Sequence, residues 1–317
     1  MAPISELVAV DTAISDGARE TVVKYQLGIP DNPLLLAGLL DIPDQRAMLS
    51  QIFTEYASIA ARAGMPYVAS TPTRHAAPDY IEAAGRPAED LARINADAVA
   101  FTRQAVNASG IAEWWLGGVL GPRGDAYEPG DSTGVARAVR YHSAQAEALA
   151  AAGVDFLTAL PLPNADEAVG LCLAMASTGM PYVPGFLVGP DGRLPDGTWL
   201  GPAIARCYEE VTHLPLHIAI VCVHPDNFVA ARDAASKHDP GTNPAIARIA
   251  RLKANGSPLS PTELAGATQV VADAPDEWAD AMMRARDEAD LQIVGGCCGT
   301  SPAHMQALAD RLDAEDE

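Results

Sequence analysis

Short apolar runs alternate along this chain with longer Ala-rich segments of helical spacing. No other feature narrows the available folds as much. The runs read "PYVAST" at 66–71, "WWLGGVLG" at 114–121, "VDFLTAL" at 154–160, "PYVPGFLV" at 181–188, "HIAIVCV" at 217–223, "IARIARL" at 246–252 and "LQIVGG" at 291–296. An eighth, "LVAVDTAI" at 7–14, precedes them. Between them lie segments such as "QRAMLSQIFTEYASIAARAG" at 45–64, "TGVARAVRYHSAQAEALAAAG" at 133–153 and "DEWADAMMRARDEAD" at 276–290. The first two of these end in Gly almost directly before the next apolar run, the expected helix stop. Most runs are nearly continuous in apolar character, as strands covered on both faces must be. "IARIARL" is the weakest and reads equally well as helix.

Eight such units predict an α/β fold, a single (β/α)8 TIM barrel occupying residues 1–317. An open doubly wound sheet would show the same alternation, but it usually carries a Gly-rich phosphate loop after its first strand. Neither G-x-G-x-x-G nor a P-loop occurs here. With 317 residues, 49% of them hydrophobic, the chain can bury a large core. No stretch reads as an interdomain linker. The Pro- and Gly-rich segment at 184–202 reads as an ordered loop over one end of the barrel.

The chain carries 41 acidic against 21 basic side chains, a formal net charge of −20. Such a surface repels polyanions, so neither nucleic acid nor an anionic membrane is an expected partner. The opening "MAPISELVAV" has no basic region ahead of a long apolar core, so no secretory signal is expected. The longest apolar stretches, such as "LHIAIVCV", fall short of the ~20 residues a membrane helix needs. Five cysteines is an odd count for a disulfide framework and points to a reducing, cytoplasmic compartment. A homo-oligomer is compatible with the sequence.

Residues 293–300 read "IVGGCCGT". Consecutive side chains on a strand point to opposite faces, so two adjacent cysteines reach one point only where the chain leaves strand geometry. Gly295, Gly296 and Gly299 give it the freedom to do so. Cys297 and Cys298 end the last apolar run, and Cys222 lies near the end of another two runs earlier. In a closed barrel these ends open on one mouth, where active sites form. Three thiolates there would make a soft site suited to zinc, with a fourth position open as in catalytic zinc sites. On the residues alone, a vicinal disulfide, a redox pair or a core role for Cys222 stays open beside the metal reading. Cys172 and Cys207 sit in helix-like surroundings and read as packing residues.

The segment "GGCCGT" followed by "SPAHM" resembles the C-terminal signature of the zinc-dependent homocysteine S-methyltransferases. The resemblance extends along most of the chain. It takes in "SDGARETVVKYQLGI" at 15–29, "EYASIAARAGMPYVASTPT", "GGVLGPRGDAYEP", "LAAAGVDFLTALPLPNADEA" and "ANGSP". It implies a (β/α)8 barrel in which Cys222, Cys297 and Cys298 are the zinc ligands and the catalytic residues. It also implies a small-molecule thiol acceptor, homocysteine or a related thiol, and a small sulfonium or betaine-type methyl donor. The acceptor pocket would involve Asp16, Gly17, Thr71, Leu160 and Val221. Relatives usually carry Glu-Thr where this chain has Leu160 and Pro161, and Asn where it has Val221. Their "TNTY"-like segment is here "STPT" at 70–73. These departures imply an acceptor lacking the usual α-amino group. A barrel using the three cysteines for redox chemistry, or for thiol or metal binding without catalysis, is the alternative. Aromatic faces can hold an onium cation, and Trp114, Trp115, Tyr127, Tyr182 and Trp199 are the candidates. His224, next to the Cys222 segment, is a further residue within range of the mouth.

Overall fold

The computed structural model describes residues 3–128, 134–264 and 267–315. Pro129 of the "GGVLGPRGDAYEP" segment and Thr133 at the start of the second Ala-rich segment lie outside the described residues. Eight strands run in parallel and close on themselves in sequence order. They are β1 (Ala13–Ser15), β2 (Tyr67–Ser70), β3 (Trp114–Leu120), β4 (Phe156–Leu162), β5 (Tyr182–Phe186), β6 (Ile218–Val223), β7 (Ile249–Ala254) and β8 (Ile293–Gly296). β8 pairs with β1, Ala13 opposite Ile293, and this pairing completes the ring. The predicted barrel is the observed one.

Two apolar cores follow from the period of two along each strand. One fills the barrel, with Ala13, Val68, Trp115, Phe156, Val183, Ala219, Val221 and Ile293 pointing inward. The other lies between the outer strand faces and the surrounding helices and takes in Trp114, Leu116, Leu157, Tyr182 and Leu252. The three Ala-rich segments form helices at Pro43–Arg62, Val135–Ala151 and Pro275–Ala289. Gly64 and Gly153 follow the first two in left-handed conformation, φ 66° and 85°; Asp290 serves after the third at φ 54°. Cys172 and Cys207 are fully buried in the outer core, as expected of packing residues. No described helix is long and apolar enough to cross a membrane.

Two boundaries differ from the sequence reading. The run at 7–14 is not one strand: Ile4–Ala9 is helical, and β1 begins at Ala13. Leu7 is buried against the interior cluster, with Ile4 and Val10 beside it. Pro3 O accepts a hydrogen bond from Trp115 Nε1 at 3.1 Å. The apolar residues of this segment therefore cap the N-terminal end of the barrel, a use that residue spacing alone does not distinguish from a strand. The run at 246–252 splits likewise: Asn243–Ile246 is a helical turn, and β7 starts at Ile249. Both readings of "IARIARL" hold, one for each half. The loop over 187–199 is ordered; Arg193 and Trp199 form a bridge, and Gly189 N donates to Arg193 O at 2.8 Å.

Candidate metal centre and substrate cavity

At the C-terminal ends of the strands, the sulfurs of Cys222, Cys297 and Cys298 lie within 4.8 Å of one another. They form the one such group of three among the described residues. Cys222 Sγ and Cys297 Sγ are 3.1 Å apart. A tetrahedral zinc site with Zn–S bonds of about 2.3 Å holds its sulfurs about 3.8 Å apart, inside the observed range. The donor set is wholly soft sulfur, and all three thiols are free. The residues fit zinc.

Backbone irregularity aims each sulfur. In β6 the register with β7 slips between Val221 and Val223, so Cys222 sits on a bulge at φ 57°. Asn255 clamps the bulge: its N–H donates to Val223 O at 2.9 Å, and its side-chain amide donates to Cys222 O at 3.0 Å. Beyond β8, Cys297 N donates to Ala254 O, and Gly256 N donates to Cys298 O at 2.8 Å. Thr300 closes a turn on Cys297 O through both N–H and Oγ1. The glycines divide into two roles. A Cβ on Gly295 would stand 2.9 Å from Ser15 O, so this position serves close approach between β8 and β1. Gly299 alone adopts the left-handed region, φ 84°.

Three thiols this close cannot all ionise independently. Cys222 and Cys298 donate hydrogen bonds to Cys297, and Lys253 lies near it; together they hold the Cys297 thiol well below the usual range. Cys222 is pushed up, first by its hydrogen bonds to Cys297 and Cys298 and then by burial. A hydrogen bond to Cys222 pulls Cys298 down, but the hydrogen bond and charge of Cys297 raise it on balance.

The cysteines open on a cavity of about 560 Å³, large enough for two small molecules side by side. Gly17, Thr71, Leu160 and Pro161 line it. Asp16 does not line it; it is 1% exposed and lies behind the wall. Val221 is likewise absent from the cavity, fully buried in the barrel interior, because alternation along β6 turns it toward the axis. Of the five aromatic candidates only Tyr127 lines the cavity. Trp114, Trp115 and Tyr182 are core residues, and Trp199 stacks on His238 with centroids 3.8 Å apart. His224 caps the helix Pro225–His238 by accepting from Asp226 N, and its Nε2 faces Asp273 Oδ2 at 3.1 Å; it is structural.

Sequence reasoning missed three cations. Lys253 on β7 is buried and its ammonium donates to Asp16 Oδ1. Arg19 Nη1 lies 3.1 Å from Asp16 Oδ2 and also donates to Ser70 O. Arg74 pairs with Glu20 at 3.3 Å. Burial pushes the Lys253 ammonium down to about 8 against the pull of Cys297 and Cys298. Beside Arg74, burial and the arginine charge push His75 down to about 4, so its ring, stacked on Tyr80 at 3.9 Å, is neutral at pH 7. A lysine at an inward position one strand residue before "ANG" was the available signal for Lys253.

Residues 13–312 match the family model described as homocysteine S-methyltransferase. Among solved structures, the homocysteine methyltransferase MmuM from Escherichia coli in its metallated form is similar with a TM-score of 0.75 at 22% identity, covering 97% of this chain and 98% of that one. The oxidised form of the same protein gives 0.74 at 22% identity, covering 98% and 100%. The apo form gives 0.67 at 21%, covering 96% and 97%. A search of curated protein sequences finds no match.

Proposed function

The chain belongs to the homocysteine S-methyltransferase family, and from that premise we propose that it transfers a methyl group from a small sulfonium or betaine-type ammonium donor to a thiol activated by zinc. The observation that carries this reading is the convergence of Cys222, Cys297 and Cys298 within 4.8 Å on the wall of a cavity at the barrel mouth. Three protein sulfurs would hold the metal and leave a fourth position for the acceptor. Zinc bound there would supply a site at which a substrate thiol loses its proton and stays nucleophilic at neutral pH.

The chain's own residues supply the rest. Lys253 and Arg74 place positive charge near the cysteines and favour their ionised form. The cavity holds acceptor and donor together, and in-line placement of the two removes much of the entropic barrier. The acceptor sulfur forms a bond to the methyl carbon as the donor's bond to that carbon breaks. The electron pair leaves with a neutral sulfide or amine. Glu20 and Asp125 are the acidic side chains of the cavity lining that a cationic donor would meet. The product is a methyl thioether, the chemistry of methionine formation, and free cysteines suit a reducing cytoplasmic setting.

The test is zinc per chain on reduced protein, beside a Cys298→Ser variant, followed by methyl transfer across a thiol and donor panel. One zinc in the parent, lost in the variant together with turnover, is the expected result. Zinc retained by the variant with turnover intact would end the proposal. Metal bound without transfer to any thiol would favour a thiol-binding barrel instead.

A further inference from the structure

The acid–base lining of the deep end of the cavity bears on what kind of thiol can lie there. Asp16 is the one carboxylate at this depth among the described residues, and both of its oxygens face cations of the chain itself. Lys253 Nζ donates to Oδ1, and Arg19 Nη1 stands 3.1 Å from Oδ2. Lys253 and Arg19 line the cavity whereas Asp16 does not. A ligand therefore meets two cations in front of one carboxylate, a local balance of one positive charge. The neighbouring wall is Leu160, which has no charge. Arg19 is fixed in place by Ser70 O and by the face of Phe53, 4.5 Å from its guanidinium carbon. The two remaining acidic side chains on the lining, Glu20 and Asp125, lie on the exposed side. Glu20 pairs with Arg74, and Asp125 accepts from Tyr127 N at 2.7 Å.

An ammonium group brought to this end would lie beside Lys253 and Arg19, with Asp16 already ion-paired to both, and like charges at that range are strongly unfavourable. A carboxylate there would meet the further donors of Lys253 and the planar fork of Arg19. We propose that the acceptor is a short thiol whose far end is an anion and which carries no ammonium group, a mercaptocarboxylate in chemical class. Lys253 and Arg19 are the residues that determine this specificity. The inference rests on the thiol-methyltransferase reading given above.

The experiment is calorimetric titration of zinc-loaded, reduced protein with three thiols of one chain length. They are 4-mercaptobutyrate, homocysteine (the same skeleton with the α-ammonium added) and 4-mercaptobutan-1-ol (the same skeleton with the carboxylate removed). Binding of 4-mercaptobutyrate at least tenfold tighter than either of the others is expected. Leu160→Glu, which places a carboxylate on the cavity wall, is expected to move the ratio of the first two toward homocysteine by tenfold or more. Lys253→Met should move it the same way; if that variant does not fold, the wild-type ratio and Leu160→Glu decide. Homocysteine binding as tightly as 4-mercaptobutyrate, or the alcohol doing so, overturns the proposal while leaving the thiol-methyltransferase reading standing. Failure of all three thiols to bind zinc-loaded protein takes down both.

Discussion

Cys222 shows how much a single residue's backbone can carry. A non-glycine side chain at φ 57° costs ~1–3 kcal/mol, and Asn255 holds it there with two hydrogen bonds. Without the bulge, Cys222 would follow the strand's alternation, and its sulfur would not stand 3.1 Å from Cys297. Arg251, on the neighbouring strand, poses the opposite problem. It is fully buried inside the barrel, and none of its three side-chain nitrogens has a hydrogen-bond partner among the described residues. Burial pulls its guanidinium down to about 10. An uncompensated buried charge is a net cost that a well-packed apolar residue of similar length removes. Arg251→Met is expected to raise stability by ~1–4 kcal/mol in urea unfolding; a loss of stability would show that the guanidinium is compensated. The sulfurs were legible from sequence because an adjacent pair between glycines is rare. Lys253, Arg19 and Arg74 were not, since a lone cation in a sequence looks the same whether it faces water or a buried carboxylate.

At the level of elements, most of the alternation could be read directly, because parallel strands packed on both sides have to be apolar throughout. What escaped was the split of two apolar runs between helix and strand. In both cases the deciding factor lies far away in sequence. The helix Ile4–Ala9 is apolar because the open end of the barrel must be covered, and the interior cluster that Leu7 joins takes in Val68, Trp115 and Phe156 of β2, β3 and β4. This gives the helix a measurable weight. Leu7 is 1% exposed, and truncation of a buried leucine costs roughly 2–5 kcal/mol. Leu7→Ala is expected to lower unfolding free energy by ~2–4 kcal/mol while leaving zinc content unchanged, since the cysteines lie at the opposite end of the strands. An unchanged denaturation midpoint would mean that the helix does not cap the barrel in solution.

For the molecule as a whole, acid pits two effects against each other. The formal net charge of −20 is a source of self-repulsion at neutral pH, and protonating carboxylates relieves it, mainly below pH 5 because the ordinary carboxylate pKa is near ~4. His217 works in the other direction and over a higher range. Burial, with Arg251 adding repulsion, pushes it down to about 3, and its Nε2 has no partner among the described residues. In the unfolded chain an imidazole binds its proton near pH ~6.5. Below that pH the unfolded state therefore takes up a proton that the native state refuses, and stability falls as pH falls. It is fully present above about 6.5 and declines by roughly 1.4 kcal/mol per pH unit toward 3. His75, held at about 4, adds to the loss in the same sense. Between pH 6.5 and 5 the histidines act almost alone, so this window separates the two effects. Unfolding free energies measured across it should fall with pH in the parent. In His217→Leu they should fall less steeply, by ~1 kcal/mol per pH unit. Equal slopes in the two proteins would show that His217 takes up its proton without unfolding.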